Sequence, residues 1–102
     1  MTNINSQLIY DNIGTGKENA TSSKQLQQLS GLCERDLRKT IERLRRSGCV
    51  IISAVDGGYY KPANITELKQ FIHKENSRAL SVLTTLKSAR TLLKDWDGEV
   101  ID

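Results

Sequence analysis

The sequence is poor in the residues from which catalytic and metal-binding sites are built. Its 102 residues include a single histidine, His73, and two cysteines, Cys33 and Cys49. A single histidine gives no corroboration for a metal cluster or a Cys–His pair, and no acid–base constellation is recognisable, so we expect no enzyme activity, no metal site and no cofactor. The Gly14-Thr15-Gly16-Lys17 segment lacks the Walker pattern of a phosphate-binding loop.

Long apolar stretches and aromatic residues are also scarce. No run of 18 apolar residues and no leader-like segment is present, which predicts a cytoplasmic protein that does not bind a membrane. The chain has one Trp, three Tyr and one Phe, so its core is expected to be small and to gain from a partner subunit. In a reducing cytoplasm both cysteines are expected to be small, buried apolar side chains.

Residues 22–46 carry the pattern of two short helices joined by a turn. Residues 22–29 form the first helix, residues 30–32 the turn and residues 33–46 the second helix. The apolar residues at helical spacing are Leu26 and Leu29 in the first helix and Leu37, Ile41 and Leu44 in the second. Side chains three and four positions apart share a helix face, so these residues are expected to pack together and to turn the opposite face outward.

The outward face of the second helix is strongly basic. Residues 24–46 contain seven Lys and Arg against three acidic residues, a net +4, whereas the whole chain is +3. The net positive charge is therefore concentrated in this window, as at a site for a polyanion. The outward charged residues are Arg35, Arg38, Lys39, Glu42, Arg45 and Arg46, with Arg43 at the margin. Charge alone leaves open the alternative that this face is merely solvated.

A β-hairpin is predicted directly after the basic helix. Residues 50–52 are β-branched and suit a strand, and Asp56-Gly57-Gly58 is a tight-turn signal. Residues 59–61 form the returning strand, which Pro62 ends. One of the two tyrosines is expected to face the core and the other solvent. The turn carries an acid and no cation, which argues against deep insertion into a DNA minor groove.

Helix, turn, basic helix and hairpin together predict a winged helix-turn-helix. The N-terminal residues Ile4, Leu8, Ile9 and Ile13 are expected to form its first helix, which ends at residues 14–16, with a loop over residues 14–21. The predicted fold class is mainly α with a small β-hairpin (α+β), followed by a long C-terminal helix. Residues 1–63 are the predicted DNA-binding domain.

In a helix-turn-helix the first turns of the second helix meet the base edges of DNA. We therefore expect Arg35, Arg38 and Lys39 to read bases and Glu34 to contact a cytosine. Phosphate contacts are expected from the remaining candidates, which are Ser22, Ser23, Lys24, Arg43, Arg46, Tyr60 and Lys61. For the tyrosines a purely structural role is an equal alternative.

Beyond Pro62 the sequence predicts one long helix over residues 64–96, about 45 Å at 1.5 Å per residue. Asn64 and Glu67 resemble a capping box, and no Gly or Pro interrupts the segment. Its apolar stripe, with a polar break at residues 75–76, is wider than a small domain needs, so it is expected to form a homodimer. The predicted dimerisation residues are Leu68, Ile72, Ala79, Val82, Leu86 and Leu93. The alternative is a kink at residues 76–77 that folds the helix back.

Four segments of the chain resemble small phage and prophage winged-helix proteins of Gram-positive bacteria. They are residues 16–20, Lys24-Gln25-Leu26, residues 31–38 and residues 57–60, and the likeness covers residues 4–61, with a looser likeness at residues 71–72 and 77–80. The helix-turn-helix portion is also similar to the N-terminal DNA-binding domain of the biotin repressor. This resemblance implies sequence-specific DNA binding in a phage regulatory or replication setting.

The chain departs from the family pattern before the second helix, where Cys33 stands in place of a capping serine; losing a good cap costs about 1 kcal/mol. None of the 102 residues resembles the repressor's ligase domain, so we expect no biotin or nucleotide chemistry. The predicted function is that of a dimeric phage-type transcriptional regulator that binds a palindromic double-stranded DNA site. The alternative is a replication accessory or protein-interaction module. Residues 97–102 are predicted to be an acidic tail, and Trp96 is a candidate for docking a protein partner.

Overall fold

The computed structural model describes residues 4–97, which fold into the order of elements expected of a winged helix-turn-helix. The elements are α1 (Ile4–Asp11), β1 (Gly14–Thr15), a short 3-10 helix (Lys17–Asn19), β2 (Thr21–Ser22), α2 (Ser23–Ser30), α3 (Glu34–Arg46), β3 (Ile52–Ser53), β4 (Gly58–Lys61) and α4 (Ile65–Asp97). The predicted class, mainly α with a small β-hairpin and a long C-terminal helix, is confirmed. Of the predicted acidic tail, residues 98–102 lie outside the described range.

Strand β4 is the centre of the small sheet. Strand β3 pairs with it antiparallel, with Ile52 opposite Tyr60. Two strands pair with the other edge of β4. Strand β1 is parallel to the end of β4, with Gly14 opposite Tyr60, and β2 is antiparallel to the beginning of β4, with Ser22 opposite Gly58. The chain between β1 and β2 must therefore reverse direction, and the 3-10 helix makes this reversal.

The prediction for residues 14–21 was wrong. The first helix ends at Asp11, and the segment expected to be a loop contains β1, the 3-10 helix and the first residue of β2. The hydroxyl of Thr21 connects β2 to the beginning of β1. It donates to the Asn12 carbonyl oxygen at 2.9 Å and accepts from the Gly14 N–H at 3.0 Å. Gly16 N–H donates to the Lys61 carbonyl oxygen at 2.7 Å, so the reversal is bonded directly to β4.

The helix-turn-helix forms where the sequence predicts it. Ser22 caps α2 in a capping box with Gln25, and Gly31 ends that helix with a φ of 73°. This left-handed conformation favours glycine because it has no Cβ. Cys33 occupies the cap position of α3 and its side chain makes no capping hydrogen bond, as its replacement of serine led us to expect. The prediction that both cysteines are buried was wrong for Cys33, which is exposed because the cap position lies off the inward face of α3; Cys49 is half-buried.

The core of the domain lies between the three short helices and β3. Its buried members are Ile9, Ile13, Leu26, Leu37, Ile41 and Ile51, and Tyr10, Leu32, Leu44, Cys49 and Tyr59 pack against them. Helix α3 contributes Leu37 and Ile41, so its predicted inward face is confirmed. The expectation that Leu29 packs in the core was wrong. Leu26 is the residue of α2 that is buried in the core, and Leu29 lies to its side and is 53% exposed. Leu8 is likewise exposed, at 36%.

The predicted hairpin is present with a shorter first strand. Residues 50–51 precede β3, and Ile51 enters the core instead of the sheet. Ala54 N–H donates to the Gly58 carbonyl oxygen at 2.7 Å, and Gly57 N–H donates to the Ala54 carbonyl oxygen at 3.2 Å. Gly57 has a φ of 93°, as a three-residue hairpin loop of this kind requires.

Helix α4 begins at a capping arrangement that also fastens the loop between β1 and β2. Asn64 Oδ1 accepts from the Glu67 N–H at 2.9 Å, as the capping-box pattern predicts. The Glu67 carboxylate does not accept the second bond of a capping box, which would come from the Asn64 N–H. It accepts instead from the Ala63 N–H at 2.9 Å and from the Lys17 N–H at 3.1 Å. These two bonds, with the nearby Lys17 charge, lower the pKa of Glu67.

Replacing Glu67 with glutamine is expected to lower the Tm at neutral pH and to leave it unchanged in acid. A carboxyl group whose pKa is depressed on folding stabilises the fold above its unfolded pKa of about 4.3, and this stabilisation is lost as the pH falls through the folded value. Calorimetry of wild type and Glu67→Gln between about pH 7 and pH 3 measures the effect. Glu18→Gln is the control, because the Glu18 carboxylate accepts no hydrogen bond from the described residues. A Tm difference that is equal at both pH values would contradict the assignment.

Helix α4 runs without interruption from Ile65 to Asp97, so the alternative of a kink at residues 76–77 was wrong. The chain divides between Leu68 and Lys69 into two compact units, the first holding the sheet and core and the second the rest of the helix. Within residues 4–97 there is no helix both long enough and apolar enough to span a membrane.

Candidate nucleic-acid interface

The outward side of α3 is strongly basic, because all six Arg and Lys side chains of this helix are exposed. Leu37, Thr40 and Ile41 are buried beneath it, so the residues on the opposite side of the helix are exposed. The Thr40 hydroxyl donates to the Asp36 carbonyl oxygen at 2.9 Å, which lets this polar side chain be buried without an unsatisfied group. The orientation of the basic face is thus fixed by the core.

Two of the arginines on this face are held by acids of the same helix. Arg38 bonds Glu34 at 2.9 Å and Arg46 bonds Glu42 at 2.7 Å, each pair four residues apart. The side chains of the first pair are 70% and 61% exposed, and such surface pairs stabilise by about 0.2–1 kcal/mol. A DNA base or phosphate can therefore displace the acid at small cost. The predicted base contacts of Arg38 and Glu34 nevertheless require this pair to open first.

Arg45 is held by the hairpin. Its Nε donates to the Ile51 carbonyl oxygen at 2.9 Å and its Nη2 to the Ser53 hydroxyl at 3.1 Å. Its guanidinium also lies 6.0 Å from the centre of the Tyr59 ring. The sequence pattern places Arg45 on the outward basic face, but these contacts make it the link between α3 and the sheet.

Arg35, Lys39 and Arg43 form the remaining basic group, which we call the free basic stripe. All three are exposed, and within residues 4–97 none of them makes an ion pair or a side-chain hydrogen bond. Their spacing of four residues sets them in a row about 12 Å long. The middle of the stripe is turned about 120° around the helix axis from Arg45, and so away from the hairpin contact.

The free basic stripe has the chemistry of a nucleic-acid contact. An arginine can donate two parallel hydrogen bonds to guanine O6 and N7, and a lysine supplies a charge for guanine or phosphate. Because no acid neutralises these cations, binding an anion through them requires no ion pair to be broken. Sequence reasoning did not separate them from the paired arginines, although the Glu-to-Arg spacing of four in both pairs is a readable signal.

The beginning of α2 holds the other predicted phosphate contacts. The Ser22 hydroxyl accepts from the Gln25 N–H at 3.1 Å, and the Ser23 hydroxyl accepts from the Gln27 side chain at 3.1 Å. Both hydroxyls are therefore engaged within the helix. Lys24 is exposed and makes no ion pair with the described residues, so it is the available cation at this end. The first backbone N–H groups of a helix also lack intrahelical acceptors.

The predicted hairpin contacts, Tyr60 and Lys61, are half-buried. Lys61 Nζ lies 3.8 Å from the centre of the Tyr10 ring, so its charge is held against α1 by a cation–π contact. No sequence signal pointed to this contact, since the two residues are far apart in the chain. The exposed tip of the hairpin consists of Val55 and Asp56 and offers no cation to DNA.

Among residues 4–97, no three His, Cys, Asp or Glu side chains are grouped so that they could hold a metal ion. Comparison with protein-family models, with curated proteins and with solved structures finds no match to this chain. Function is therefore inferred from the geometry of α3 and its surroundings.

Proposed function

We propose that this protein binds double-stranded DNA in a sequence-specific way and acts as a transcriptional regulator of the phage type. The observation that carries the proposal is the free basic stripe, three uncommitted cations on the exposed face of the second helix of a helix-turn-helix. The fold fits this role because such a helix enters the major groove. The resemblance of residues 4–61 to phage winged-helix proteins supports the regulatory setting, which would be cytoplasmic.

The contacts divide by position along α3. Arg35 and Lys39 lie in its first turns and read base edges, with Arg38 joining them once Glu34 releases it. Arg43 lies further along and contacts phosphate, and Arg46 contributes less because Glu42 holds it. Lys24 and the first N–H groups of α2 hold a phosphate on the other side of the groove.

Removing both base-reading cations of the stripe is expected to weaken specific binding by about 100-fold or more, since each such contact contributes about 1–3 kcal/mol. The test enriches a duplex from a random library on the wild-type protein and then titrates it by fluorescence anisotropy at two salt concentrations. Wild type is compared with Arg35→Gln/Lys39→Gln. The control is Lys74→Gln/Lys94→Gln, which removes the same charge from exposed positions of α4 and is expected to change affinity by less than about tenfold.

Two results would overturn the proposal: no enrichment of any duplex, or equal losses in the two double variants. The second would mean that total charge, and not the stripe, determines binding. If no duplex is enriched, a protein-interaction module is the better-supported function, and one observation already favours it. The first unit exposes Leu29 at 53% and Val55 at 95%, which are apolar side chains available to a protein partner. The salt slope of the wild type reports how many phosphates are contacted.

A further inference from the structure

The exposed apolar side of α4 follows a repeat of seven residues. Numbering its positions as in a coiled coil, the a positions are Ile65, Ile72, Ala79, Leu86 and Leu93, and the d positions are Leu68, Glu75, Val82, Ala89 and Trp96. Nine of these ten residues are apolar, and the repeat covers the whole helix. A sustained seven-residue repeat indicates a helix that pairs with another helix along its length.

Nothing within the described chain buries this side of the helix. None of the 33 residues of α4 is buried, and Ile72 and Val82 are each 58% exposed. The opposite side is rich in hydroxyls that bond their own backbone, as Thr84, Ser88 and Thr91 do with the carbonyl four residues earlier. Such residues are weak helix formers, and most helical stability in proteins comes from packing of an apolar face, so a packed partner is expected.

We propose that the partner is α4 of a second copy, packed antiparallel with its two-fold axis between Ala79 and Val82. In this register every a residue faces a d residue of the other helix. Ile72 meets the partner's Ala89, Ala79 meets the partner's Val82, and each alanine is thus matched with a larger, β-branched residue. Pairing a large side chain with a small one keeps the volume of each packing layer similar along the interface, as close packing requires.

The charged residue in the repeat selects the orientation. Parallel pairing would place Glu75 against the partner's Glu75 in the middle of the interface, where two like charges repel and are poorly solvated. Antiparallel pairing sets Glu75 against the partner's Leu86. Its carboxylate then stays at the edge with Arg78 of its own helix, which it bonds at 3.3 Å.

The edges of the interface and its size are compatible with this arrangement. Lys69 lies opposite the partner's Arg90, but both are exposed, where water and salt screen a like-charge pair. A helix of this length offers a footprint of about 50 Å by 10 Å, or roughly 500 Å² on each copy. The two footprints together reach the roughly 1,000 Å² that a specific interface needs.

The first test is the oligomeric state of the full chain by sedimentation equilibrium. Wild type is expected to be a dimer. Val82→Asp, which puts an unpaired charge against the partner's Ala79, is expected to raise the dissociation constant by about 100-fold or more. Thr84→Asp is the matched control on the outer side and is expected to change it by less than about threefold. Loss of the monomer's own fold is checked by the NMR signals of the buried Ile9 and Ile41 methyl groups.

The second test measures the orientation by electron-spin distance measurements in a Cys33→Ser/Cys49→Ala background. A label in the Asp95→Cys variant is expected about 45 Å from its copy if the helices are antiparallel, and within about 30 Å if they are parallel. A label in the Ser81→Cys variant, beside the proposed axis, is expected to stay within about 30 Å of its copy. A monomer, a higher oligomer, a dimer indifferent to Val82→Asp, or a short distance from position 95 would each overturn the proposal. None of these outcomes depends on whether α3 binds DNA.

Discussion

Leu37→Ala is expected to destabilise the first unit by about 2–5 kcal/mol, enough to unfold most of a domain this small. Leu37 is fully buried in the core beneath the basic face of α3, beside Leu26 and Ile41. Removing its three outer carbons leaves a cavity that helices packed on both sides cannot close. Because Leu37 also holds α3 against the core, the variant is expected to lose specific DNA binding together with stability.

The measurement needs a probe confined to the first unit, since α4 dominates the helical signal of the whole chain. Urea unfolding followed by the NMR signals of the Ile9, Ile41 and Ile51 methyl groups satisfies this condition. Leu29→Ala is the matched control: the same atoms are removed from a leucine that is 53% exposed, and the change in unfolding free energy is expected to stay within about 0.5 kcal/mol. Equal losses in the two variants would show that the exposed position of Leu29 is misassigned.

Gly14→Ala is expected to destabilise the same unit by about 3 kcal/mol or more. A Cβ placed on Gly14 would overlap the carbonyl oxygen of Asn19 and lie 2.8 Å from its carbonyl carbon. Both groups are backbone, so no side-chain rotation relieves the overlap. The reversal between β1 and β2 would have to move away from β4, breaking the bonds that Gly16 and Lys17 make to Lys61 and Glu67.

Thr15→Ala tests whether this sensitivity belongs to Gly14 itself. Thr15 is the next residue of the same strand and is exposed, so its replacement is expected to change the unfolding free energy by less than about 1 kcal/mol. The two variants are compared by urea unfolding with the same methyl probes. A Gly14→Ala protein as stable as the wild type would contradict the close approach of the Asn19 carbonyl group to Gly14.

The parts of the fold that depend on local spacing were predictable from the sequence. Leu37 and Ile41 lie four residues apart in a long helix with charges on its other side, and this pattern determines which face is buried. The capping residues of α2 and α4 are likewise local signals. The long helix was predictable because residues 64–96 contain no Gly or Pro.

The parts that depend on distant partners were not predictable. Strand β1 has two residues and no apolar alternation, and it exists because Tyr60 and Lys61 supply its hydrogen-bonding partners. The same reason hid the role of Arg45, whose acceptors belong to the strand that follows its helix. In the candidate site, the pattern gave the basic face but not its division into paired, anchored and free cations, since that depends on which acceptors lie within reach.

The contacts of Arg45 determine when α3 and the hairpin become ordered: during folding, before any ligand binds. One guanidinium joins α3 to the Ile51 carbonyl oxygen and the Ser53 hydroxyl, and it lies near the Tyr59 ring. Helix and hairpin are thereby immobilised against each other when the chain folds. The entropy of ordering side chains, about 0.5–1.5 kcal/mol for each one fixed at an interface, is then lost in folding and not again when a ligand arrives. In the proposed complex with DNA, the surface formed by α3 and the hairpin would therefore meet its ligand already ordered.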